Sequence, residues 1–183
     1  MQQLKVVTWP SKILQTRARE VTSFDQSIQD LARAMHALMD QEGGIGLAAN
    51  QVNILSRVLT IYIQHSKERF GDAEDDRRWW HNKRFTIINP VILKIGGPKF
   101  RTMEGCLSFP EIYDFVERPS EITVRAWDEF GKEHTIEADG LFAVCLQHEI
   151  DHLDGIVFTE RMSRLKANAI SKKMMRSKKE NVF

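Results

Sequence analysis

Residues 140–153 read Gly140-Leu-Phe-Ala-Val-Cys-Leu-Gln-His-Glu-Ile-Asp-His-Leu153, and this stretch organises the reading of the whole chain. Leu141, Val144, Cys145, Leu146 and Leu153 are apolar, so the helix expected here is substantially buried. His148 and His152 stand four residues apart within it. On a helix that spacing places both imidazoles on one face, one turn apart, where they can converge on one ion. Glu149 lies beside the first histidine, where its carboxylate can reach a water held by that ion without being a ligand itself. The bland alternative is a helix with two surface histidines and an unrelated glutamate. Two histidines placed in a core helix, however, need partners.

Outward from that helix, Ile122–Trp127 and Glu133–Glu137 flank Asp128-Glu-Phe-Gly131, a hairpin signal. Phe85–Ile88 and Val91–Ile95 read as two strands split by Asn89-Pro90, and Val58–Ile63 as another. Residues 64–84 are polar and densely charged, with Trp79-Trp80 near the end, and read as a long loop or insertion. Residues 24–42 carry Ile28, Leu31, Ala32, Met35, Leu38 and Met39 at helical spacing, with Ser23 or Asp25 to cap the start and Gly43-Gly44 to stop it. Ser163 caps a last helix to about residue 178, so 162–179 form a basic C-terminal helix. The expected fold is α+β: mostly antiparallel strands packed around a central metal-binding helix, with N-terminal and C-terminal helices. At 183 residues, 1–183 is read as a single domain.

With 42% hydrophobic and 28% charged residues the chain is ordinary for a soluble globular protein and wrong for a disordered one. A net charge of +1 gives no whole-protein argument for nucleic acid or lipid, so neither DNA nor a membrane is expected as a partner. The segment Met1–Pro10 lacks the apolar stretch and cleavage site of a secretory signal, and the expected location is cytoplasmic. Cys106 and Cys145 are accordingly read as reduced thiols.

Catalytic zinc-like sites usually combine three protein ligands with one open position, so a third ligand is needed. A metzincin extension would put a histidine at position 158, which is Phe158. A downstream glutamate could only be Glu160 or Glu180, one very close and the other near the C-terminus. Cys106, in Glu104-Gly-Cys-Leu-Ser-Phe-Pro110, is a better candidate, since a thiolate with two imidazoles suits zinc or ferrous iron. The competing reading of Cys106 is a plain buried thiol.

Three segments, Gly44-Ile-Gly-Leu-Ala-Ala-Asn-Gln51, Glu104-Gly-Cys-Leu-Ser108 and Gln147-His-Glu-Ile-Asp-His152, together resemble the three motifs of bacterial peptide deformylases. The basic C-terminal helix is similar to that of the family's Gram-negative branch. The resemblance implies removal of the formyl group from the N-terminal formylmethionine of nascent peptides. It implies Cys106, His148 and His152 as ligands, Glu149 as base, and Gln51 with the Leu107 N–H as oxyanion donors. It implies Fe2+ as native metal, with Zn2+ giving a less active form. Ile45, Gly46, Leu141, Val144 and Cys145 match the family's substrate pocket, where a tight wall at Gly46 would exclude acetyl. Rival readings are a metallopeptidase cutting internal bonds and a structural metal site closed by Cys145 or His134.

Some positions depart from the family pattern. Phe109 stands where members commonly carry valine or isoleucine. Tyr113 stands where close relatives have an arginine contacting the peptide beyond methionine. The basic residues are unevenly placed: eight lie between Arg161 and Lys179 with no acid among them, which leaves −7 for the rest of the chain. That polarity admits two readings, a solvated terminal helix or a contact with RNA phosphates that brings the enzyme to ribosomes.

Overall fold

Asp25 fixes where the first helix begins. In the computed structural model, which describes residues 3–64 and 78–180, α1 (Gln26–Gln41) starts where the Asp25 carboxylate accepts the Ser27 N–H at 2.9 Å. Gly43, at φ 68°, turns the chain out of its last turn. The helix lays Ala32, Met35, Leu38 and Met39 onto the core.

Five antiparallel strands follow in spatial order: β1 (Gly46–Ala48), β2 (Val58–Tyr62), β3 (Arg84–Cys106), β4 (Phe109–Trp127) and β5 (Glu133–Asp139). β3 and β4 form one long bent hairpin, and this corrects the expectation of two short strands split at Asn89-Pro90. That pair does not end the strand. Asn89 adopts φ 49°, the register with β4 shifts between Ile88 and Val91, and the Asn89 side chain bonds the Val21 N–H and C=O at 2.8 Å each. The bulge absorbs the proline, which a central ladder position would not tolerate. Further shifts at Ile92/Lys94 and Gly96/Lys99 break the alternation that would have revealed the rest of the hairpin.

The buried helix α2 (Gly140–Leu153) packs across the sheet through Phe142, Leu146 and Leu153 against Leu59, Ile61 and Val124. Every residue from Phe142 to Leu153 is buried. A second cluster joins α1 to β1 and β2 through Met35, Met39, Leu47 and Val58. A third, built on Leu14, Phe109, Val116 and Phe158, lies beneath the β3–β4 turn and receives Ile170 and Met174 of α3 (Arg164–Glu180). Ser163 precedes α3, its hydroxyl accepting the Lys166 N–H at 3.4 Å.

The stretch read as a 64–84 loop has two fates. Residues 65–77 lie outside the described residues. Its end is packed: Trp80 is 1% exposed, stacks on Phe142 and donates Nε1–H to Asp139 at 3.0 Å, and Arg84 already belongs to β3. The N-terminal segment ties three distant parts together. The Val7 N–H donates to the Gln51 carbonyl at 2.7 Å and the Trp9 N–H to the Ser108 carbonyl at 3.0 Å. The Trp9 indole N–H donates to Ser171 Oγ of α3 at 3.1 Å. Among the described residues no helix is long and apolar enough to cross a membrane.

Candidate active site and metal centre

α2 supplies His148, Glu149 and His152 from one face, and the end of β3 brings Cys106 against them. One donor atom from each of Cys106, His148 and His152 lies within 4.8 Å of the others, the one such group found among the described residues. Cys106 Sγ sits 3.2 Å from His152 Nε2. An ion about 2.0–2.3 Å from nitrogen and sulfur ligands fits a triangle of that size. Of the rival fourth ligands, His134 is turned to Asp128 at 2.8 Å, in the β4–β5 turn. The Cys145 thiol donates to the Ile45 carbonyl at 3.7 Å. Neither joins the group.

Burial sets the electrostatics. Glu149 is 4% exposed, and its Oε2 has no hydrogen-bond partner. Desolvation therefore pushes its pKa up to about 7, against the pull of His148 and Arg118. Burial, then the positive charges of His148 and Arg118, hold His152 well below the ordinary imidazole value, in the neutral form a ligand needs. Burial would lower His148 as well, but its bonds to Cys106 and Glu104 outweigh this and hold it well above. The same negative surroundings favour a bound cation.

Glu104, present in the sequence reading only as part of a motif, stands directly behind the three donors. Its Oε2 accepts from His148 Nδ1 at 2.9 Å, fixing the ring so that Nε2 faces Cys106 and His152. Burial pushes Glu104 up, yet hydrogen bonds from His148 and Arg118 outweigh that and keep it below the usual carboxylate range. Arg118, Asp151 and Arg161 extend the arrangement and were also missed. Arg118 lies on the buried face of β4 with Val116, a placement that emerges only once the strand is known to run back to Phe109.

All five residues expected in the pocket, Ile45, Gly46, Leu141, Val144 and Cys145, line one cleft of about 670 Å³ with Gln51, Leu107, His148 and Glu149. Gln51 sits in a 3-10 turn (Ala49–Val52), where its Oε1 accepts the Ala48 N–H at 2.8 Å. That bond turns Nε2 toward Cys106 Sγ, 3.5 Å away, and Ser108 Oγ, 3.3 Å away. Gly46 forms a tight wall of the cleft: a Cβ there would fall 2.4 Å from Glu149 Oε1 and 2.8 Å from Cys145 Sγ. Phe109, the bulky departure, is buried between Trp9, stacked at 5.5 Å, and Phe158, edge-on at 5.3 Å. It fills the space beneath the Cys106 turn. Tyr113 is 70% exposed and lies over Gly105 at the cleft mouth.

Two imidazoles and a cysteine sulfur converging beside a buried carboxylate and an amide donor define the class, a metal-dependent hydrolase. Comparison with known proteins gives the family. The polypeptide deformylase family model matches residues 3–168. A peptide deformylase of Polynucleobacter necessarius is 42% identical over 97% of this chain and 95% of its own length. One from Neisseria gonorrhoeae is 40% identical over 98% of both. The crystal structure of peptide deformylase from Ehrlichia chaffeensis superposes with a TM-score of 0.88 at 37% identity, covering 98% of this chain and 99% of that one. The chain belongs to the polypeptide deformylase family. Its reaction is the hydrolytic removal of the formyl group from N-terminal formylmethionine, with a divalent metal.

Proposed function

We propose that Cys106, His148 and His152 hold the metal and that Glu149, Gln51 and the Leu107 N–H carry the chemistry on newly made formylmethionyl chains. The observation behind this is that the three donors lie within 4.8 Å of one another beside Glu149, a cleft-lining carboxylate with one buried oxygen unpartnered. When bound, the divalent ion polarises the formyl carbonyl and lowers the pKa of a water toward about 7. Glu149 takes the proton of the attacking water as its oxygen joins the formyl carbon. Gln51 Nε2–H and the Leu107 N–H donate to the oxygen that gains charge. As the C–N bond breaks, Glu149 returns the proton to the amine, and formate and a free N-terminus result.

Ile45, Leu141, Val144 and Cys145 receive the methionine side chain. Gly46, Glu149 and Cys145 leave room for a formyl hydrogen but not for an acetyl methyl. Fe2+ is proposed as the native ion and the cytoplasm as the location, with 1–183 acting as one catalytic unit. The basic helix α3 meets RNA phosphates at the ribosome, supported by the eight cations between Arg161 and Lys179 with no acid among them.

Anaerobic purification with metal analysis and an assay on formyl-, acetyl- and unblocked methionyl peptides tests the assignment. Cys106→Ser is expected to lose most bound metal while Cys145→Ser keeps it. The reverse outcome removes Cys106 from the ligand set.

A further inference from the structure

Behind the metal-binding face, four charged side chains run in series from His148 to the foot of α3. Glu104 accepts His148 Nδ1 and takes Arg118 in a fork, Nε to Oε1 at 2.6 Å and Nη2 to Oε2 at 3.1 Å. The remaining Arg118 nitrogen, Nη1, reaches Asp151 Oδ2 at 2.8 Å. Asp151 is then grasped from outside by Arg161, Nε to Oδ2 at 3.0 Å and Nη2 to Oδ1 at 2.5 Å. Glu104, Arg118 and Asp151 are 6%, 3% and 7% exposed, whereas the Arg161 side chain is 45% exposed. Two carboxylates and two guanidiniums alternate, so their charges cancel.

The three buried members of this series, Glu104, Arg118 and Asp151, are each held on both sides, and loss of a partner leaves a buried charge unpaired. Arg118 serves two acids at once. Its grip on Glu104 depends on Asp151 staying in place, and Arg161 is what holds Asp151 there. Arg161 lies in the 3-10 turn Phe158–Arg161, three residues before α3, and touches neither the cleft nor the three donors.

We propose that Arg161 is a positioning residue for His148: through Asp151 and Arg118 it fixes the Glu104 carboxylate that aims the imidazole, so retention of the metal is partly set from the foot of the C-terminal helix. This rests on the proposed ligand set. Its rival is a bare charge effect, in which losing a cation near the site would make the surroundings more negative and the ion more tightly held. Arg161→Lys separates the two, because it keeps the charge and loses the fork.

The test uses the full-length, metal-loaded protein and follows release of the ion to a chelator, beside the absorption spectrum of the Co2+-substituted form. Losing a direct partner of a ligating histidine typically costs about 10–100-fold in metal affinity, and about 3–10-fold faster release is expected for Arg161, two links further out. Both Arg161→Lys and Arg161→Gln should show it, with altered Co2+ bands. The effect of Arg161→Gln should largely vanish in a Glu104→Gln background. Wild-type release in both variants overturns the proposal, as does slower release in Arg161→Gln alone, or a lowered melting temperature with unchanged release. Cys106→Ser serves as the control in the same assay: if it retains metal like wild type, the ligand assignment has failed rather than the relay.

Discussion

Helices α2 and α3 both carry dense charge, and they use it in opposite ways. In α2, His148, Glu149, Asp151 and His152 sit among buried residues. There His148 and Asp151 are held by named partners, and Glu149 keeps an oxygen unsatisfied. In α3 the charges are almost all cations, those of Arg164, Lys166, Lys172, Lys173 and Arg176 are exposed, Leu165 is 83% exposed, and docking relies on Ile170, Met174, Ser171 and a surface pair between Lys166 and Asp114 at 2.6 Å. Surface pairs of that kind contribute about 0–1 kcal/mol. Charge in water is nearly interchangeable, whereas charge taken into a core must be paired or must shift its pKa, and the shifted group is the one available for proton transfer.

The largest effect expected on this contrast is at Glu149. Glu149→Gln should keep the metal and lose about 10²–10⁴-fold in kcat, since an amide accepts no proton. The pH profile carries the same test. A base must be deprotonated, so activity rises with pH through its pKa, and burial puts that pKa at about 7. A nearby bound cation pulls a carboxylate down, so the acid limb should fall at or below that value. A limb lying well above it, or a metal-replete Glu149→Gln with near-normal turnover, would take the role away from Glu149.

Next in size is Arg118. Replacing it with leucine leaves Glu104 and Asp151 facing each other in the core, and loss of one partner from a buried ionic network costs about 3–5 kcal/mol. Denaturant unfolding of the metal-loaded protein measures it. A loss below about 1 kcal/mol would put Arg118 with the surface pairs, in the range usual for exposed ions.

The smallest effect is expected at Arg164, Lys172 and Arg176 of α3. Changed together to glutamine, they should each shift stability by no more than about 0.5 kcal/mol and leave turnover on short formyl peptides unchanged. Co-sedimentation with ribosomes should weaken in a salt-dependent way. Equal sedimentation of variant and wild type at low salt would reduce α3 to a structural cap. Substitution is a cleaner test than truncation after Met162, because truncation also uncovers Trp9 and the third core cluster.

The catalytic helix was legible because its signals are local. Histidines four apart, an apolar face and a neighbouring glutamate all fall within one short segment. The start of α1 was legible for the same reason, through Asp25. The β3–β4 hairpin was not. Its bulges interrupt the period of two, and Asn89-Pro90 imitates a break that only the contact with Val21, 68 residues away, converts into a bend. Glu104, Arg118, Asp151 and Arg161 were illegible as a set for a related reason. Each looks like an ordinary surface charge until the sheet and α2 bring β3, β4 and the last turn together. Gln51 and Leu107 were singled out through motif resemblance alone, since nothing about a lone glutamine in a glycine-rich loop reveals that Ala48 will orient it.

The strap formed by Val7 and Trp9 has a consequence for biogenesis. Val7 and Trp9 precede their partners Gln51, Ser108 and Ser171 in the chain, the last of them 162 positions later. Contacts that span so much of a chain close late in folding. The strap joins the turn that carries Gln51 to the turn that follows Cys106, and of its three bonds only the one from the Trp9 indole to Ser171 waits for α3. The backbone bonds that bracket the cleft can therefore form before α3 is made, and the last helix adds a clasp at Trp9.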